Sequence, residues 1–141
     1  MKAAILNGYH QEVVIQDIPL PSIGDEDVLV KIKAAGVNPL DNMIIQGDVK
    51  LIVPYKFPLV MSNEFVGVIE RIGSNVSKFS VGERVYGRMP LKRIGAFAEY
   101  AAIDMTSFSF VKTAQVWSVF QTSLLKSTLK PLSMKFFLCL T

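Results

Sequence analysis

Alternating apolar and polar residues, broken at short intervals by glycine, fill the first hundred positions of the chain. In the longest run, residues 28–37, Val28, Val30, Ile32 and Ala34 share one face, and Leu29, Lys31, Lys33 and Ala35 share the other. A period of two is typical of a strand with one buried face. The same pattern predicts further strands over residues 2–6, 13–17, 65–72, 83–86 and 96–103.

One short helix interrupts these predicted strands. Asn38 has the residue type preferred at a helix N-cap, Pro39 suits the first helical position, and Gly47 follows the last apolar residue of the segment. The signals predict a helix that ends at Ile45. The first part of the chain is therefore predicted to be mainly β, a barrel or sandwich with one short helix inserted.

The chain changes character near residue 105. All nine glycines lie before Met105, and all 12 acidic residues lie in residues 1–104 with 11 of the bases, whereas residues 105–141 hold four bases and no acid. Apolar residues in the second part follow a helical spacing only over residues 114–130, which Pro131 would end. We therefore predict a domain over 1–104 and an irregular or partly helical tail over 105–141.

Composition narrows the possible chemistry. The chain has 141 residues, a formal net charge of +3 and 50% apolar residues, which suits one modest globular domain. A single cysteine, Cys139, and a single histidine, His10, exclude a disulfide within one chain and a zinc site of four thiolates. The apolar run at the N-terminus is too short for a secretory leader, so we expect a cytoplasmic protein.

The basic tail gives only a weak indication of an anionic partner. Its four lysines are spread over 37 residues, unlike the dense clusters of polybasic motifs. We therefore expect neither a nucleic acid nor a membrane as partner.

Four sequence blocks resemble a known family. They are DVLVKIKAAGVNPLD at 27–41, NEFVGVIERIG at 63–73, VGERVYG at 81–87 and GAFAEY at 95–100. Their order and spacing are similar to those of the N-terminal GroES-like domain of medium-chain dehydrogenases/reductases, a partly open β-barrel. In zinc-dependent relatives a Cys occupies the position of Asn38 and a His that of Asn63, and a lobe of four cysteines holds a second zinc. The resemblance therefore implies the zinc-independent quinone oxidoreductase branch, since neutral amides are poor zinc ligands.

The resemblance also implies a place for the cofactor. In such relatives this domain forms one wall of a cleft, and NADPH lies between it and a Rossmann domain, with a quinone or another small electrophile as substrate. By resemblance, the candidate cofactor-binding residues are Asn38, Asp41, Met43 and Glu64. No metal site is expected, and no catalytic residue is assigned.

Each candidate also has a structural interpretation. Asn38 suits an N-cap, and Asp41 suits the positive end of the helix dipole. Glu64 is suited to a structural role as a hydrogen-bonded acid beside the cofactor site. Met43 stands where relatives often have a tyrosine against the cofactor, which leaves Tyr55 or Tyr86 to supply a phenol or to pack in the core.

The Rossmann domain of such relatives has no counterpart in this sequence. Residues 105–141 contain no glycine, and residues 1–104 contain no G-x-G, so the turn that receives a dinucleotide pyrophosphate is missing. We therefore expect a truncated oxidoreductase, inactive alone, whose tail a frameshift would explain. Two alternatives stay open: a GroES-like module that binds a small molecule or a partner, and an interaction protein that uses its basic apolar tail.

Overall fold

The computed structural model describes residues 1–105, 110–112 and 137–139. Strands dominate this part of the chain, and one short helix follows the third strand, as the sequence predicts. The elements in chain order are β1 Lys2–Leu6, β2 Val13–Asp17, β3 Asp27–Gly36, α1 Pro39–Ile45, β4 Leu59–Val60, β5 Glu64–Ile72, β6 Arg84–Arg88, a 3-10 turn Leu91–Arg93, β7 Tyr100–Asp104, β8 Phe110–Lys112 and β9 Phe137–Cys139. No helix in these ranges is long and apolar enough to cross a membrane.

The strands form two antiparallel sheets. The smaller has the order β2-β1-β4, and the larger the order β7-β3-β5-β6-β8, with β9 also paired to β3. Residues 96–99 join the sheets, because Ala4 N donates to Phe97 O at 2.7 Å and Glu99 N donates to Lys2 O at 3.1 Å. Together the two sheets form the partly open barrel that the resemblance implies.

The barrel core is built on the inward face of β3. Two irregularities in its pairing with β5 shift the register, one of them between Ile32 and Ala34. The predicted alternation therefore fails at Ala34 and Ala35: Ala35 is buried in the main core and Ala34 is only half-buried. The residues of this core are Val28, Val30, Ile32, Ala35, Phe65, Ile69, Val85, Met89, Ala96, Ala101 and Ile103.

A second apolar cluster holds α1 against the barrel. Leu6, Ile44, Met61 and Ile94 are buried together, and Val49, Tyr55 and Phe57 pack on them with other partly buried side chains. Because Ile44 is on the inner face of α1, this cluster fixes the helix, and the loop that follows it, at the end of the barrel where β3 ends and β5 begins.

Two sequence-based expectations need correction. The strand predicted over 96–103 begins only at Tyr100, because Glu99 is the point where the chain leaves the smaller sheet: its N–H bonds to Lys2, whereas its carbonyl accepts from Ile32 N at 2.9 Å. In the segment predicted to be irregular or partly helical, β8 and β9 pair with open edges of β6 and β3. The helix predicted over 114–130 lies outside the described residues, and the boundary at 104/105 stays a prediction.

Candidate functional site

The start of α1 is fixed by reciprocal hydrogen bonds. Asn38 is extended, with φ −141°, and its Oδ1 accepts from Leu40 N at 3.0 Å. The Asp41 carboxylate accepts from Asn38 N at 2.9 Å, while Pro39 occupies the first helical position. Gly47, with φ +72°, follows the helix in the left-handed conformation that glycine adopts readily. The predicted N-cap and helix end are confirmed.

Asp41, in the first turn of α1, and Glu64, at the start of β5, place two carboxylates near each other. Asp41 is buried, and burial raises the pKa of its carboxyl, a change to which the negative charge of Glu64 adds. Backbone N–H groups of Asn38 and Ser62 oppose the increase. Glu64 also faces Arg88, whose Nε lies 4.0 Å from Glu64 Oε1. Asn38, Asp41 and Glu64, three of the four candidates, therefore lie in one polar cluster.

The segment just before β5 places a further amide in this cluster. Ser62 has φ +68°, and its Oγ donates to Gly36 O at 3.0 Å, which ties the start of β5 to the end of β3. The next residue, Asn63, is 2% exposed, and its backbone carbonyl accepts from Met89 N at 2.6 Å. The left-handed turn at Ser62 thus directs Asn63 inward.

Several polar atoms at this end of the barrel are buried with no hydrogen-bond partner among the described residues. They are Asn38 Nδ2, both side-chain amide atoms of Asn63, and the Tyr55 hydroxyl. Buried polar groups are usually paired, because each unpaired one costs about 1–3 kcal/mol. We define the amide cluster as Asn38, Asn63 and Tyr55. Its free donors and acceptor are suited to a neutral polar ligand.

Tyr55 is the phenol of this cluster. Burial raises the pKa of its hydroxyl, and the charges of Tyr9 and Asp41 add to the increase, which places Tyr55 near the buried carboxylate. Tyr55 N donates to the Tyr9 hydroxyl at 3.2 Å, a contact across 46 residues that no local pattern indicates. Tyr86 is instead partly exposed on β6.

Met43, the fourth candidate, is placed differently. It is on α1, but its side chain is half-exposed and belongs to none of the buried clusters. That any of the four candidates contacts a cofactor stays a prediction.

The donor set of the cluster does not suit a metal. Among residues 1–105, no three His, Cys, Asp or Glu side chains converge as metal ligands would. Asn38 and Asn63 contribute carboxamides, whose oxygens are weak ligands for zinc compared with thiolate or imidazole.

A separate cavity of about 370 Å³ lies on another side of the barrel. The segment that follows β2 forms one wall and β7 another, with Leu20, Met89, Arg93 and Tyr100 among the lining residues. The lining is mainly apolar, in contrast to the amide cluster.

Comparison with known proteins identifies the family. The alcohol dehydrogenase GroES-like domain matches residues 24–113, and so continues past Met105. The chain belongs to this family. Its homologues are medium-chain quinone oxidoreductases and dehydrogenases, so the recognition made from the four sequence blocks is confirmed.

Two relatives show how much of a whole protein is matched. The chain is 38% identical over 95 residues to the quinone oxidoreductase of Sus scrofa, which covers 65% of this chain and 27% of that protein. It is 32% identical over 115 residues to a mitochondrial NAD(P)H oxidoreductase of Dictyostelium discoideum, 77% of this chain and 33% of that protein. The chain thus spans about a third or less of these relatives.

Solved structures agree with the fold. An alcohol dehydrogenase superfamily protein from Novosphingobium aromaticivorans has a TM-score of 0.71 at 27% identity, over 79% of this chain and 34% of that one. The quinone oxidoreductase of Pseudomonas syringae has a TM-score of 0.67 at 27% identity, and the match covers 79% of this chain and 33% of that chain. Because the Dictyostelium relative is mitochondrial, a cytoplasmic location for this chain stays a prediction.

Proposed function

We propose that this chain is the substrate-side domain of a zinc-independent, NADPH-dependent reductase of quinones or similar electrophiles, and that it does not turn over alone. The observation that carries the proposal is the amide cluster. By the resemblance, Asn38 and Asn63 stand where zinc-dependent relatives place a thiolate and an imidazole, and their amide nitrogens are buried donors without a partner among the described residues. Donors of this kind suit a ligand that offers carbonyl oxygens, as quinones and enones do.

The residues present fit the ring end of a nicotinamide cofactor, which would supply the hydride when bound. Asn38 and Asn63 would hold polar groups of the ring or of the substrate, and Tyr55 would add a hydroxyl donor. The chain's contribution is to orient the reacting groups and to exclude water, because the unpaired polar atoms of the cluster are buried. For the pyrophosphate the sequence has no G-x-G turn, so tight binding requires a further domain.

The first test uses the 141-residue chain itself. We expect NADPH to bind no more tightly than millimolar, an affinity of about 4 kcal/mol. Quinone-dependent NADPH oxidation should equal the rate in buffer. Fluorescence titration and absorbance assays measure the two quantities. Micromolar binding or measurable turnover by the chain alone would show that its proposed inactivity is wrong.

The second test supplies the missing part. A chimera in which residues 1–105 replace the matching region of the pig quinone oxidoreductase should reduce quinone with NADPH. In it, Asn38→Ser keeps an N-cap oxygen but removes the amide donor, so kcat/KM should fall about tenfold or more. Asn42→Ser on the exposed side of α1 is the matched control and should leave kcat/KM unchanged. A folded chimera that binds NADPH yet reduces no quinone would contradict the proposal.

The apolar cavity supports a second candidate, a small-molecule-binding module without redox chemistry. Its lining by Leu20, Met89 and Tyr100 is typical of sites for apolar ligands. A quinone that raises the melting temperature of the chain without NADPH, and no longer does so in Tyr100→Ala, would favour this candidate. Loss of the effect in Asn63→Leu instead would favour the reductase.

A further inference from the structure

Two adjacent aliphatic side chains stand almost fully in solvent on the loop between α1 and β4. Leu51 is 92% exposed and Ile52 is 79% exposed, the highest values among the large apolar residues of the described chain. Single exposed apolar residues are common on protein surfaces, but neighbouring ones with this exposure indicate a contact surface. We define the 47–56 loop as the segment from Gly47 to Lys56.

The backbone of the 47–56 loop is well ordered by its own hydrogen bonds. Lys50 N donates to Gly47 O at 3.2 Å, and the Val49 carbonyl accepts from Ile52 N at 3.0 Å and from Val53 N at 2.8 Å. Val49 packs on the cluster around Ile44, and Val53 is buried. These anchors on either side of Leu51 and Ile52 hold the two side chains outward, so little backbone entropy is lost when they are covered.

The charge around the exposed pair is positive. Lys50 and Lys56 flank it and are both exposed, while Asp48 is the one acidic residue of the loop. Among the described residues, no carboxylate oxygen lies within ion-pairing distance of Lys50 or Lys56. An apolar tip flanked by two unpaired ammonium groups complements a surface that is apolar inside and anionic outside.

We propose that the 47–56 loop docks on anionic lipid membranes, with Leu51 and Ile52 inserted among the acyl chains and Lys50 and Lys56 at the headgroups. A second copy of the chain fits less well, since a symmetric contact through the tip would bring four lysines together. A stable protein interface also needs about 800 Å² from each partner, far more than two aliphatic side chains provide. A bilayer requires only the inserted apolar surface and the opposite charge.

This docking is distinct from the expectation based on the tail lysines, because it uses residues of the folded domain. It does not rest on the proposed reductase function: Tyr55 belongs to both the loop and the amide cluster, but docking uses only Lys50, Leu51, Ile52 and Lys56, and NADPH takes no part. Binding would be reversible and weakened by salt, as for a surface with one short apolar insertion and two cations.

The test is flotation of the full chain with vesicles of phosphatidylcholine alone and of phosphatidylcholine mixed with phosphatidylserine. We expect binding to the mixed vesicles, which Leu51→Ser/Ile52→Ser should weaken at least about tenfold. Ile15→Ser/Val81→Ser removes two other exposed apolar side chains and should leave binding unchanged. Thermal unfolding of each variant confirms that it is folded.

A second pair of variants tests the charges. Lys50→Gln/Lys56→Gln should weaken binding to the mixed vesicles about tenfold, whereas Lys78→Gln/Lys92→Gln, with the same change of net charge elsewhere, should have a much smaller effect. The proposal is overturned if the chain does not float with mixed vesicles, or if both loop variants bind as the original chain does. A dimer in solution that Leu51→Ser/Ile52→Ser converts to monomer would assign the loop to self-association instead.

Discussion

The buried polar side chains at the two ends of β3 differ in whether they have hydrogen-bond partners. At the first end, the carboxylate of Asp27 accepts from both Nη atoms of Arg93, at 3.0 and 2.9 Å, and from Gly24 N at 3.0 Å. The bonds from Arg93 are the main cause of the lowered pKa of Asp27. At the other end, Asn38 and Asn63 carry buried amide atoms with no partner among the described residues. We call these the paired end and the unpaired end.

The difference indicates which end holds the fold together and which is free to bind. Hydrogen bonds to a charged partner contribute about 1.5–3 kcal/mol, so the paired end stabilises the domain. The unpaired end carries a cost that a ligand would remove by supplying partners. The carboxyl groups show the same contrast, because burial raises the pKa of Asp41 while Arg93 lowers that of Asp27.

The largest effect on stability is expected from a substitution that distorts the backbone at the paired end. A Cβ at Gly73 would collide with the carbonyl oxygens of Gly24 and Asp25, and Gly73 N donates to Asp27 O at 2.8 Å. Gly73→Ala should therefore lower the free energy of unfolding by about 3 kcal/mol or more in urea titrations. Gly82→Ala is the matched control: a Cβ there meets no atom within 4 Å, and only the φ of +87° is unfavourable, at about 1 kcal/mol. Equal losses in the two variants would contradict the steric explanation.

The next largest effect on stability is expected when the partner of Asp27 is removed. Arg93→Leu leaves the Asp27 carboxylate with the Gly24 N–H as its one hydrogen-bond partner among residues 1–105, and we expect a loss of about 2 kcal/mol in the free energy of unfolding. That value lies below the usual cost of breaking a buried ion pair, because the Arg93 side chain is 46% exposed. Lys2→Leu breaks the exposed pair with Asp17 at 3.3 Å and should cost under about 0.5 kcal/mol. If the Arg93 variant loses no more than the Lys2 variant, the paired end is not a source of stability.

The unpaired end allows a test with the opposite sign. Asn63→Leu replaces a buried amide that has no partner in the described part of the chain by an apolar side chain of similar size, so the free energy of unfolding should rise by about 1 kcal/mol. Asn75→Leu removes an amide that donates to Glu26 Oε1 at 2.8 Å on the exposed surface, and should change stability little or lower it. A clear loss of stability in Asn63→Leu would mean that the amide is satisfied by ordered water.

Much of the fold follows from local sequence, whereas the unpaired end does not. The cap at Asn38, the helix end at Gly47 and the core face of Val28 are recognised from neighbouring residues alone. The shift from Ala34 to Ala35 depends on pairing with β5, about thirty residues away, and so escapes a period-two pattern.

The unpaired amides of the candidate site are the part that sequence reasoning missed. The sequence shows that Asn63 is an amide, but whether its atoms find partners depends on β3, α1 and the 47–56 loop meeting at one place. Ser62 carries no signal for a left-handed φ, because serine is not among the residues that favour it. The resemblance indicated these positions through the zinc ligands that they replace. The structure adds the finding that their amide atoms have no hydrogen-bond partner among the described residues.

The smallest expected effect is a difference in how the two ends make the free energy of unfolding depend on pH. The pKa of Asp27 is lowered on folding, so its stabilisation is present above the ordinary value of 3.8 and is lost as the pH falls through the folded-state pKa. The pKa of Asp41 is raised, so its contribution is fully present below 3.8 and is lost as the pH rises through its folded-state pKa. Relative to Asp27→Asn, the original chain should lose stability as the pH falls below about 3.8. Relative to Asp41→Asn, which keeps an acceptor for Asn38 N, it should gain stability as the pH falls toward about 3.8 from above. Urea titrations at a series of pH values measure both stability differences. If the two differences change with pH in the same direction, the two carboxyl groups do not have pKa values shifted in opposite directions, and the contrast between the two ends of β3 is wrong.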